Sequence, residues 1–156
     1  MIQVSLLKNK KTVFLAVGNI MRADDGFGHM IYKRLQKFAG ADFLPLDGGE
    51  LPENMSGKIK AFAPDYLIIA DAAFLPQKPA GALELLNEAD IINPSLSTHT
   101  MPLNIMVKFL KEELPDLKII FIAANAKNTD FDAPASREIK IAAKTAADIV
   151  KKSLRK

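Results

Sequence analysis

Apolar runs of strand length alternate along this chain with stretches in which apolar residues recur every third or fourth position. The runs occupy residues 12–17, 41–46, 66–70, 82–86 and 118–124, and their length and composition predict five β-strands. Three of them are almost uninterrupted, the mark of strands covered on both faces by helices. Phe27, Met30, Ile31, Leu35 and Phe38 form a helical stripe behind Gly26, and Leu103, Met106, Val107, Leu110 and Leu114 form another behind Pro102. Pro102 suits a first helical turn, which puts Thr100 or Met101 at the cap. Ser136 is placed to cap a last helix carrying Ile139, Ala142, Ala143, Ala146, Ile149, Val150 and Leu154 on one side, and a shorter helix is expected at residues 53–62. Strands alternating with helices predict an α/β fold, a three-layer sandwich whose mixed, mostly parallel sheet of about five strands is flanked by helices. Ligand sites in such folds lie beyond the carboxyl ends of the strands.

Composition narrows the chemistry. The 156 residues suit one domain, 1–156, and 49% hydrophobic content suffices for its core. There is no Cys, so thiol catalysis, CxxC redox chemistry and zinc knuckles are excluded. The formal charge of +3 is concentrated at the end of the chain, where residues 137–156 hold seven basic side chains against Glu138 and Asp148. With no Trp and two Tyr, that basicity reads as a solvated helix face and not as a nucleic-acid surface. No apolar stretch approaches the roughly 18 residues of a membrane span, and a soluble cytoplasmic monomer is expected.

Acids gather where the strands should end. Gly18, Asn19, Asp24 and Asp25 follow the first strand, Asp47-Gly48-Gly49 the second and Asp71 the third, while His99 precedes the helix at Pro102. Asp24 and Asp25 suit a helix N-terminus, so one of them can cap while the other faces the cleft. Asp47 with two glycines has turn chemistry. Asp71, at the rim of an apolar strand, requires a cation or hydrogen-bond donors. His99 lies in the polar stretch Ser97-Thr98-His99-Thr100, either as a surface residue or as part of a site, and His29 reads as surface. Two carboxylates and one imidazole from separate loops form an O,O,N set suited to a divalent ion such as nickel or zinc, with coordination positions left open. Other chemistries lack their motifs: Gly26-Phe27-Gly28 is not GxGxxG, and neither a GK[ST] phosphate loop nor a GxSxG elbow is present.

The segment Gly18-Asn19-Ile20-Met21-Arg22-Ala23-Asp24-Asp25-Gly26-Phe27-Gly28 resembles the opening signature of the NiFe-hydrogenase maturation endopeptidases. Asp47-Gly48-Gly49, Pro52-Glu53-Asn54, Leu67-Ile68-Ile69-Ala70-Asp71-Ala72 and Thr98-His99-Thr100-Met101-Pro102-Leu103-Asn104 resemble its later landmarks in order and spacing. The last of these is most similar to the branch that processes the large subunit of formate-hydrogenlyase hydrogenases. The resemblance runs from residue 13 to 124, and beyond that the last helix agrees in character only. It departs from the family in its longer start, in the absence of Gln-Pro after the last strand and in its lack of net acidity.

That resemblance implies an endopeptidase that removes a C-terminal extension from the hydrogenase large-subunit precursor after nickel insertion. It implies that the nickel is presented by the substrate, that no organic cofactor is used, and that Asp25, Asp71 and His99 are both the metal-contacting and the catalytic residues, of aspartyl or metal-dependent type. Asn19, Asp24 and Asp47 fall on supporting positions. Two alternatives come from other classes. Acids after the first strand, Asp71, Thr98 or Thr100 and Lys127 are shared with phospho-acceptor receiver modules, and a non-catalytic metal-binding protein of the same fold is the third reading.

Overall fold

The computed structural model describes residues 6–86, 88–91 and 100–155. Five strands form one sheet in the order β2-β1-β3-β5-β4: β1 (Thr12–Ala16), β2 (Phe43–Asp47), β3 (Tyr66–Ala73), β4 (Leu83–Leu86) and β5 (Lys118–Asn125). All neighbours run parallel except β4, which lies antiparallel to β5 with Leu83 opposite Ala124. This is the mixed, mostly parallel sheet expected from the pattern. Every residue of β1 and β3 is buried, as continuous apolar runs in the middle of a covered sheet require. Pro45 sits inside β2, an edge strand, where a missing N–H breaks no ladder on the open side.

Strand alternation sorts the core into two layers. Phe14, Ala16, Ile68, Ala70, Ile122 and Ala124 pack beneath α1 (Phe27–Leu35) and α5 (Arg137–Leu154). Val13, Leu15, Leu67, Ile69, Phe121 and Ala123 pack beneath α2 (Ser56–Phe62) and α4 (Thr100–Glu113). One further short helix, α3 (Glu88–Ile91), was not anticipated by the pattern.

Several expected boundaries move, each for a local reason. Strand β3 runs past residue 70 to Ala73 because β5 continues beside it, pairing Asp71 with Ala123 and Ala73 with Asn125. Thr100 and Met101 are inside α4 and so are not its cap. The helix expected from residue 53 opens with a tighter turn at Pro52–Met55. Phe38 leaves the apolar stripe of α1 because the chain tightens into a 3-10 turn at Gln36–Phe38, which leaves its ring 44% exposed.

Candidate active site

The chain leaves β1 toward β2 on one side and reaches β3 on the other, and the connecting helices α1 and α2 pack on opposite faces. The boundary between β1 and β3 is therefore a switch point, where diverging loops open a crevice at the carboxyl edge. The last β1–β3 pair is Ala16 with Ala70, and Asp71 is the next residue, buried. Alternation puts it on the face of Leu67, Ile69 and Ala73, the face that α4 covers.

Asp25 comes from the loop that leaves β1. Gly18 has φ +129°, and a Cβ there would lie 2.0 Å from the Asp25 carbonyl oxygen. Only glycine allows this approach. The Asp25 carboxylate accepts the Asn19 N–H at 2.8 Å through Oδ2, and Asn19 Oδ1 accepts the Met21 N–H at 2.8 Å. Asn19 thus holds both the carboxylate and the loop beside it. Gly28, at the start of α1, allows another close approach: a Cβ there would sit 2.5 Å from the Ala70 carbonyl oxygen. The first turn of α1 consequently rests on β3 one residue before Asp71.

Asp24, although adjacent to Asp25, is committed elsewhere. Its Oδ2 accepts the Lys127 and Asn128 N–H groups at 2.7 and 3.1 Å and the Ser136 hydroxyl at 3.0 Å, while Oδ1 accepts the Ser136 N–H at 2.6 Å. The Asp24 N–H returns a bond to the Asn128 carbonyl at 2.9 Å. Neither acid caps α1, which has no side-chain cap. Asp24 instead lies at the N-terminus of α5, where Ser136 Oγ accepts the Ile139 N–H at 3.3 Å, so its charge meets the positive end of that longer dipole.

Asp47 ends β2 and makes the expected turn, its Oδ1 accepting the Gly49 N–H at 3.3 Å. Its other oxygen accepts His29 Nδ1–H at 2.6 Å. His29 is therefore not a free surface residue: α1 carries it over the end of β2, and both side chains are about one-third exposed. Pro52-Glu53-Asn54 forms the turn that packs against α4.

His99, with Ser97 and Thr98, lies outside the described residues. Among the described residues no group of three or more His, Asp or Glu side chains is arranged to hold a metal ion. Two of the three expected site residues, Asp25 and Asp71, come to the β1–β3 crevice.

Comparison with known proteins decides the family. A model of hydrogenase maturation proteases matches residues 30–153. This chain belongs to that family. It is a peptidase by that membership, and the match reaches the terminal helix, which the motifs alone placed outside the resemblance. The hydrogenase 3 maturation protease of Escherichia coli is 32% identical over 134 residues, covering 85% of this chain and 84% of its own. The NiFe hydrogenase maturation protease HycI from Thermococcus kodakarensis superposes with a TM-score of 0.85 at 28% identity, covering 98% of both chains. The solution structure of the endopeptidase HycI from Escherichia coli gives 0.77 at 30% identity over 88% of this chain and 87% of that one.

As a maturation protease the chain has no use for the receiver arrangement. Lys127, the lysine a receiver would need, donates its N–H to Asp24 and sets its ammonium 3.1 Å from Glu138. The Glu138 side chain is 40% exposed, and hydrogen bonding to its own backbone N–H, then to Lys127, holds its carboxyl below the ordinary value of 4.5. Among the described residues no helix is long and apolar enough to cross a membrane.

Proposed function

We propose that this maturation protease removes the C-terminal extension of a NiFe-hydrogenase large-subunit precursor once nickel is in place, acting as a cytoplasmic monomer. Asp25, Asp71 and His99 contact the nickel that the precursor carries. The observation that carries this reading is the pair of buried carboxylates, Asp25 and Asp71, at the switch point of a chain in this family. Two buried carboxylates brought to the ligand-binding edge of such a sheet suit a site whose charge a ligand meets.

The chemistry follows from those groups. Water adds to the scissile carbonyl carbon, one carboxylate takes its proton, and the C–N bond breaks as the amine leaves with a proton. General-base help of this kind contributes on the order of 10² to 10⁴ in rate. Three ligands without a thiolate hold nickel weakly compared with a closed Cys-containing site. Affinity rises when the precursor's own ligands share the ion, so nickel reports that insertion is finished.

The test is cleavage of one purified precursor with and without nickel, alongside metal analysis of the free enzyme. The nickel-loaded form should be cut and the nickel-free form spared, by an enzyme that purifies without stoichiometric metal. Equal cutting of both forms would defeat the checkpoint. Cleavage surviving in Asp25→Asn, Asp71→Asn and His99→Ala alike would defeat the site.

A further inference from the structure

Each of the four parallel strands is followed, at the carboxyl edge, by a large apolar residue left open to solvent. Ile20 and Met21 follow β1, Leu51 follows β2, Phe74 follows β3 and Phe131 follows β5, with exposures from 48% at Met21 to 59% at Ile20. These side chains rim the edge that carries Asp25 and Asp71. A soluble protein gains nothing from presenting apolar groups there unless something covers them.

The rim is held in place rather than loose. Met21 is fixed through its N–H by Asn19, and its carbonyl accepts the Asp132 N–H at 2.8 Å, which ties the loop after β1 to the loop carrying Phe131. Arg22 lies over the Phe131 ring at 5.7 Å. Asp24 clamps the same two loops from beneath. Ordering these residues in advance lowers the entropy lost on binding.

We infer that this rim is a docking surface for the apolar stretch of the precursor polypeptide that flanks the scissile bond. The inference rests on the function proposed above. Four strands spaced about 4.8 Å apart span roughly 14 Å, and an extended polypeptide advances about 3.3 Å per residue. A chain laid across the Asp25–Asp71 crevice must therefore pass over rim residues on either side. The exposed apolar rim matches an apolar segment, and the carboxylates at the centre repel an acidic one.

The double substitution Met21→Ser/Phe131→Ser tests this, with Phe38→Ser as a comparison because Phe38 is also exposed but follows the far end of α1. Loss of two apolar anchors should raise KM for the nickel-loaded precursor roughly tenfold to a hundredfold, with kcat at saturation unchanged. Binding should follow: the nickel-free precursor, which is not cut, should bind the wild-type protein in calorimetry, and the double substitution should weaken that binding by the same factor. An unmoved KM, or an equal effect from Phe38→Ser, overturns the inference while leaving the peptidase intact. Binding that follows this pattern in a protein that cuts no precursor keeps the rim and removes the proposed cleavage. No binding by the intact rim overturns the docking surface. So does a wild-type dimer, seen by sedimentation, that the double substitution dissolves without changing KM.

Discussion

Asp24 and Asp25 are neighbours of one residue type, both buried, yet their surroundings assign them opposite work. Asp24 spends both oxygens on donors from residues 127–136. Asp24→Asn turns an NH2 toward N–H groups and should cost about 3 to 5 kcal/mol, read as a fall in thermal midpoint. Asp25→Asn retains an oxygen for the Asn19 N–H, so it should lose less stability than Asp24→Asn while cleavage falls by about a hundredfold or more. Similar melting of the two variants would remove the division of labour. Gly18→Ala should also abolish cleavage with both acids in place, because the added Cβ meets the Asp25 carbonyl and the backbone cannot keep its φ. A crystal structure of that variant should show the Asp25 loop displaced. The place of the doublet after a strand and before a helix announced that its two acids would divide their roles. Which acid does what was not, since the partners of Asp24 are more than a hundred residues away in sequence.

At the scale of elements, periodicity carried far. The stripe of α1 buries Phe27, Ile31 and Leu35 as its spacing required. Leu35→Ala should cost about 2 to 5 kcal/mol while leaving kcat/KM intact below its lowered melting temperature. Ser136 caps α5 as read from the sequence, and it also donates to Asp24, so one hydroxyl joins helix and loop. Ser136→Ala should cost about 1 to 2 kcal/mol, above a simple cap of similar geometry, as measured by urea titration. The first turn of α5 also bears Glu138, whose depressed value gives a pH signature of known sign. A carboxyl lowered on folding stabilises above its unfolded value of 4.5 and loses that contribution as pH falls through the lower folded value. Melting differences between the wild type and Glu138→Gln should therefore be small and should vanish on acidification below that window. What periodicity missed was the short helix α3 and the end of α1, where a change in helical pitch put Phe38 outside the stripe.

For the whole molecule, topology converts scattered residues into an edge. The β1–β3 boundary gathers Asp25 and Asp71, separated by 46 positions, because β1 ends there and turns into the loop carrying Asp25, while Asp71 is the first residue of β3 beyond its pairing with β1. The sequence by itself determined the α/β class, the strands and helices to within a few residues, the carboxyl-edge location of the acids and the family. All of these follow from patterns written locally: periods of two and 3.6, cap and turn residues, and motifs of contiguous positions. Tertiary structure alone decided three things. It extended β3 so that Asp71 lies within a paired strand, it joined His29 to Asp47, and it enlisted Asp24 to tie the first loop to the last. Each depends on which backbone donors or neighbouring strands arrive from distant parts of the chain. A carboxylate looks the same in sequence whichever donors reach it.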